Sequence, residues 1–515
     1  MSNTTRPFRS ILFEKAEDGS EPPSTGVQDF VVDLHLDQIV DSILVGRQEY
    51  RLGTLFMATL NSSEAIEYRH QAMRELESQS LRDAIEAFAQ GMRSMRRARQ
   101  LAENVHNRYN RQGWFLNGVE AYCEAVSRLG ADLAALDLES RGFLSFRGFL
   151  LSYLESPGFA ALRAETEKMR ADLAASRYCL LMKTNNQFTV RKYEGEEDYS
   201  VEVEKAFEKF REGAAKDYRI RFTGYPEVNH VEEAALEFVA KLYPEVFQSL
   251  DEYCARNKEF LDQTVADFDR EVQFYIAYHE FVAQFTGTGL RFCYPVVSDS
   301  KQVESHNGFD LALANKLVRE KSPLVTNDFF LKDNERVFVV NGPNQGGKST
   351  FARAFGQLHH LACLGLPVPG TSAKLFLFDR IFTHFEREEN FDDLRSRLED
   401  DLMRVHSILD ACTPRSVVII NELFSSSTLR DAVFLGRKVL ERVIQLDALC
   451  VYVTFIDELS TMDKAVSVMS TVLPDNPELR TFKITRKPAD GLAFAMAIAD
   501  KHQLSYERIK ERIRQ

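Results

Sequence analysis

No apolar run in this 515-residue sequence approaches the roughly 20 residues needed to cross a bilayer, so a membrane-spanning role is excluded at the outset. The N-terminus lacks the apolar core of a secretory signal. Residues 1–27 instead mix charges with Gly19, Pro22 and Pro23, which reads as a flexible tail and points to a cytoplasmic protein. Cysteine is sparse and unpatterned. Cys123, Cys179, Cys254, Cys293, Cys363, Cys412 and Cys450 are odd in number and form no C-x-x-C pair, which argues against a disulfide framework and against a zinc site. Basic charge is in deficit, with 64 Lys and Arg against 77 Asp and Glu and a net charge of -13. Such a surface does not grip nucleic acid everywhere, but a local basic stripe still can. There is no internal repeat or low-complexity tract. At this length one hydrophobic core is not enough, and two or three domains are expected.

From about residue 28 to 290 the sequence has few Gly or Pro breaks and a helical period, so it reads as a helical core and lever arm. Asn61 serves as a candidate N-cap, followed by Glu64 and by Ile66, Met73 and Leu76 on one side. Between Tyr178 and Tyr193, alternation of Phe188, Val190 and Tyr193 with polar residues predicts a hairpin, with Thr184 to Gln187 as its turn. Helical pattern returns over Val201 to Glu212. After Gly287 short apolar runs alternate with helices, the texture of an α/β domain over 291–515. Arg336 to Asn341, Ser416 to Ile420 and Ala448 to Thr454 read as buried parallel strands. The fold class is therefore α + α/β.

The sharpest motif is Gly342-Pro343-Asn344-Gln345-Gly346-Gly347-Lys348-Ser349, which fits G-x-x-x-x-G-K-[ST] between a predicted strand and a helical pattern from Phe351 to Leu364. Glycines there let backbone N–H groups turn inward around phosphates, and the helix N-terminus favours anions. Lys348 is expected to reach the β- and γ-phosphates of ATP and Ser349 to supply a hydroxyl to Mg²⁺. A second strand should end in carboxylates, and the candidate is Asn421-Glu422. Glu422 is placed to activate water. Asn421 stands where an aspartate would assist the metal, and a neutral amide would hold it through a water without adding charge, so hydrolysis is expected to be slow.

These residues resemble a family. Asn341 to Thr350, N-G-P-N-Q-G-G-K-S-T, is similar to the T-G-P-N-M-G-G-K-S-T of the MutS mismatch-repair ATPases. Gly365 to Pro369 resembles the G-x-x-V-P segment of the same family, and Asp379 to Thr383 its D-R-I-F-T. Asn327-Asp328 resembles the N-D segment near the nucleotide base, and Leu60 to Leu76 the start of the family's core domain. The resemblance implies a helical core/lever domain over 28–290 with a small β-containing clamp at about 180–230, then a P-loop, ABC-type ATPase domain. It also implies a homodimer and an ATP-driven clamp on DNA of the mismatch repair or recombination type; an unidentified protein partner is a further candidate, and the sequence does not say whether it supplies specificity. Gly342 to Thr350 and Asn327 would contact nucleotide.

Departures from the family shape further expectations. Its glycine-rich G-R-G-T-S-T loop, which reaches the partner subunit's nucleotide, becomes Phe424-Ser425-Ser426-Ser427-Thr428, so the hydroxyls of Ser425, Ser426, Ser427 and Thr428 are the candidates for that contact. Thr454-Phe455 replaces a Thr-His pair, which removes a polar γ-phosphate sensor. Helical-core sequence begins near residue 28, so the family's amino-terminal mismatch-reading domain is expected to be absent and DNA to be held through phosphates. Phe210-Arg211-Glu212 matches its Phe-x-Glu wedge only by chance. Lys183, Arg191, Lys192, Arg219 and Arg221, in or near the clamp, are the candidate DNA contacts. The cluster Arg93, Arg96, Arg97 and Arg99 reads as a solvated basic face paired with acids such as Glu86, and adjacent His359 and His360 as packing residues rather than metal ligands. A second reading keeps ATP binding but almost no hydrolysis, which makes the chain a nucleotide-gated DNA or protein scaffold. A transporter subunit is excluded by the lack of an L-S-G-G-Q signature.

Overall fold

A computed structural model describes residues 8–18, 29–182, 188–195, 230–386, 397–473, 476–488 and 510. Helices and mixed sheets divide the chain into two compact units, one of Met1–Phe8, Ser78–Leu138 and Leu144–Asp269, the other of Arg9–Glu77, Glu139–Phe143 and Arg270–Gln515.

The first unit is built on two long helices, Gln79–Asn104 and Arg108–Ala135, packed along their length. Close approach requires small residues where they touch. A Cβ on Gly91 would fall 2.6 Å from that of Ala125, and Gly118 faces Ala98 across the same seam. Ser156 caps the helix Pro157–Ala175 through its hydroxyl, with Pro157 at the first position where its missing N–H costs nothing. Tyr178–Met182 and Phe188–Lys192 pair antiparallel as the predicted hairpin. Its turn, and the helix expected over Val201 to Glu212, lie outside the described residues.

In the second unit the helix Ser63–Glu75 starts one residue later than the sequence pattern suggests. Ser62, not Asn61, is the N-cap, because its hydroxyl accepts the Ala65 N–H at 3.1 Å. Ile66, Met73 and Leu76 are buried as expected.

The centre of this unit is a six-stranded mixed sheet. Its strands are β1 (Val337–Asn341), β2 (Ile381–His384), β3 (Val417–Asn421), β4 (Leu449–Val453), β5 (Ala465–Leu473) and β6 (Asn476–Arg486), in spatial order β2-β3-β4-β1-β5-β6. All neighbours run parallel except β5 and β6. The middle strands are buried on both faces, which explains their unbroken apolar sequences. On one face Val337, Val339, Val418, Ile420 and Tyr452 pack in a core with residues of α2 (Arg397–Ala411) and α3 (Leu429–Gln445). On the other, Phe338 meets Phe351 and Phe355 of α1 (Lys348–Cys363), and Gly356 lets that helix lie close to Ile419. Parallel register brings the C-terminal ends of β1, β3 and β4 to one edge: Val453 pairs with both Val340 and Asn421. Among the described residues no helix is long and apolar enough to cross a membrane.

Candidate nucleotide site

The Gly342–Ser349 loop leaves the buried end of β1 and enters α1 directly at Lys348. Three of its residues have left-handed backbone, Gly342 at φ +124°, Gln345 at +57° and Gly347 at +91°, and glycine adopts this at two of them without strain. Gly346 is required for space instead. A Cβ there would stand 2.2 Å from Ser470 Oγ and 2.9 Å from the Pro343 carbonyl oxygen. Ser470, buried on β5, donates its hydroxyl to the Gly346 carbonyl at 2.6 Å and so fixes the loop from beneath.

Lys348 Nζ donates to the carbonyls of Gly342 at 2.9 Å and Pro343 at 3.2 Å, and the residue is only 4% exposed. Burial lowers its pKa from 10.5, opposed by the negative charge of Glu422 and reinforced by the positive charge of Arg480. Ser349, next along the helix, donates its hydroxyl to Asn421 Oδ1 at 2.8 Å, so the ends of β1 and β3 are joined through these two side chains. Glu422 follows with φ +58° and its N–H bonded to the Val453 carbonyl, a bend that turns the chain out of β3. An amide oxygen and a hydroxyl oxygen, facing each other beside a carboxylate, form an all-oxygen set of the type magnesium prefers. Among the described residues no group of three or more His, Cys, Asp or Glu could hold a metal.

The loop opens on a cavity of about 460 Å³ that Glu422 also lines, within the usual range for small-ligand clefts. Leu313, Leu317, Pro323, Leu324 and Val325 add apolar lining, with Phe482 from β6 and Asn327. Asn327 is fixed by β6: its side chain donates to the Phe482 carbonyl at 3.1 Å and accepts from the Ile484 N–H at 2.7 Å. Asn344, Gln345, Gly347 and Thr350 border the same space. A glycine-rich loop at a helix N-terminus and a set of apolar side chains thus line one cavity.

Three residues of this arrangement carried no signal in the sequence. Ser470 lies beneath the loop, Arg480 donates to the Asn344 carbonyl at 3.3 Å and brings a cation to the loop's rim, and Phe482 is 49% exposed at φ +57° on the cavity wall.

The serine-rich segment is held more locally. Ser427 donates to the Phe424 carbonyl at 2.9 Å, and Thr428 caps α3 by accepting the Asp431 N–H, while Ser425 and Ser426 are exposed. In the first unit Arg191 and Lys192 are exposed on the hairpin, with Lys192 Nζ 5.0 Å from the centre of the Tyr243 ring. Lys183, Arg219, Arg221 and Phe210 lie outside the described residues. Arg96 forms an ion pair with buried Asp269, whereas Arg93, Arg97 and Arg99 are exposed. His359 and His360 are fully buried, and each has one ring nitrogen against a backbone carbonyl, of Phe355 and Phe56 respectively.

Residues 338–504 match the family described as MutS domain V. The chain is similar to the DNA mismatch repair protein MutS of Thermotoga maritima, 27% identical over 273 residues that make up 52% of this chain and 33% of that protein. The corresponding protein of Thermotoga neapolitana is 27% identical over 286 residues, 55% of this chain and 34% of its own. That of Zymomonas mobilis is 31% identical over 177 residues, 34% of this chain and 20% of its own. The chain thus spans about a third of the length of the Thermotoga relatives it matches.

Proposed function

From the premise that this chain is a MutS-family protein, we propose that it is a DNA-binding ATPase of the mismatch repair or recombination type, in which two copies close over ATP and so change their grip on DNA. The observation that carries this reading is the joined edge of the central sheet, where the glycine loop, Lys348, Ser349 and Glu422 line one cavity and Asn421 is tied to it through its bond from Ser349. On this reading residues 291–515 act as a P-loop, ABC-type ATPase domain, and residues 28–290 as a helical core and lever carrying a clamp.

The inward N–H groups of the loop and the start of α1 hold the phosphates, with Lys348 against the β- and γ-phosphates. Ser349 would hold Mg²⁺ directly and Asn421 through a water, and the ion would supply charge that offsets the phosphates. Glu422 orients and deprotonates the attacking water, and the bend at its backbone aims the carboxylate away from β3 toward the cavity. Asn421 contributes no charge, so turnover is slow. The apolar slot between Leu313 and Phe482 takes the base, with Asn327 at its edge.

Dimerisation is supported by Leu429 and Phe434, which stand 68% and 61% exposed at the start of α3, beside the serine-rich segment. A second copy seated there brings Ser425, Ser426, Ser427 and Thr428 toward its own nucleotide. DNA is held through its phosphates by basic residues of the clamp, Arg191 and Lys192 among them, and that grip responds to ATP only if the two nucleotide states hold the arms differently.

The test is calorimetry with ATP and Mg²⁺ on the parent chain and on Lys348→Ala, beside steady-state phosphate release from Glu422→Gln. Binding lost in the first variant, and hydrolysis slowed about a hundredfold at retained affinity in the second, are the expected results. Undiminished affinity in Lys348→Ala removes the assignment. A second reading is favoured by Asn421 and Phe455, neither of which serves hydrolysis: a nucleotide-gated scaffold. It predicts ATP binding with negligible phosphate release from the parent chain itself.

A further inference from the structure

Phe455 follows Thr454 just beyond the end of β4, and the residue is 52% exposed. Its position there is not idle. Lys348 Nζ lies 4.3 Å from the centre of that ring, while its hydrogen bonds run to the Gly342 and Pro343 carbonyls. The ammonium is therefore enclosed by two carbonyl oxygens on one side and an aromatic face on the other, which accounts for a lysine only 4% exposed. The negative face of an aromatic ring is one of the few uncharged groups that compensates a desolvated cation.

An ammonium has three donor directions. Two are taken by the loop carbonyls and the ring covers the third, so a phosphate that bonds the ammonium while both carbonyls stay bound must take the place of the ring. Ring and phosphate thus compete for one face of the same cation. We propose that Phe455 is a latch on Lys348: its ring occupies the face of the ammonium that the β- and γ-phosphates need, and nucleotide binding must displace it. The inference rests on the nucleotide reading above and assigns to Phe455 a positioning role, acting through Lys348. Phe455 is a half-exposed residue on a segment that has left the sheet, which gives it room to swing aside.

The latch makes a prediction with an unusual sign, because removing an aromatic neighbour of the key lysine should tighten binding. A cation–π interaction at a partly exposed site contributes enough to shift an equilibrium about two- to fivefold. Phe455→Leu and Phe455→Ala should each bind ATP and ADP about two- to fivefold more tightly than the parent chain by calorimetry, and Phe455→Tyr, which keeps the ring, should bind as the parent does. AMP has no β-phosphate and does not engage the latch. Its affinity should stay the same in all four proteins, a split that general loosening of the site does not produce. ATP affinity that is unchanged or weakened in both ring-deleted variants, with the parent binding ATP, overturns the latch and leaves the nucleotide site standing. Failure of the parent chain to bind ATP overturns the nucleotide reading, and the latch with it.

Discussion

Ser349 and Asn421, 72 residues apart in sequence, meet at 2.8 Å, the serine hydroxyl donating to the amide oxygen. A carboxylate at position 421 would accept the same bond and add a negative charge where the divalent cation is to be held. Asn421→Asp should therefore lower the Mg²⁺ concentration needed for half-maximal ATP binding several-fold, because hard cations are held chiefly by charged oxygen. Magnesium titrations of nucleotide binding check this, and an unchanged midpoint would remove Asn421 from the metal's surroundings.

The hydrogen bond from Ser470 to the loop leads to a geometric prediction. Gly346→Ala places a methyl group 2.2 Å from Ser470 Oγ and 2.9 Å from the Pro343 carbonyl oxygen, so the loop must shift. ATP affinity should fall at least tenfold, roughly 1.4 kcal/mol, without loss of helical signal by circular dichroism. Adding Ser470→Gly removes only the first clash, and partial recovery of affinity is the expected outcome for the double variant.

Exposed Arg191 and Lys192 on the hairpin bear on DNA binding. Neutralising both should weaken binding to any duplex about equally and lower the slope of log affinity against log salt by about 2, one for each phosphate that no longer meets a cation. Titrations at several salt concentrations, on matched and mismatched duplexes, are the measurement. A salt slope equal to the parent's would place the DNA-binding cations elsewhere.

Acid should destabilise the second unit through buried histidines. Burial lowers the pKa of His70, His359 and His360 to about 4 each, against 6.5 when unfolded. Between those values the unfolded chain binds more protons than the folded one, so stability is complete above pH 6.5 and is lost as pH falls toward 4. At pH 5 each contributes a loss of about 2 kcal/mol at most. Urea denaturation at pH 7.5 and pH 5 checks it. His359→Leu should shrink the difference by about that amount, since His359 Nε2 is buried without a hydrogen-bond partner.

How much of this was legible beforehand follows from the range of each interaction. The strand at Arg336 to Asn341 and the helix after it needed only local apolar pattern, and they form at Val337–Asn341 and Lys348–Cys363. The helix begins earlier than Phe351 because Gly347, at positive φ, lets the first turn start on the lysine itself. Asn61 yields the capping role to its neighbour, since two adjacent good caps differ only in which backbone N–H each can reach. Thr428 had a local signal too, a Thr three residues before Asp431, and the cap it forms uses the hydroxyl within its own helix.

What the sequence by itself determined is the set of groups whose meaning is local: the glycine loop, its lysine and serine, the strand ending in Asn421-Glu422, and the hairpin. Tertiary structure alone decided which distant residues complete them. Ser470, Arg480 and Phe482 sit in ordinary strand sequence more than 120 residues beyond the loop, and reach it only because β5 pairs parallel with β1 and β6 follows at the edge. The approach of Phe455 to Lys348 is of the same kind. A phenylalanine in sequence signals only burial, and whether its ring covers a core or a cation depends on strand order, which periodicity does not encode.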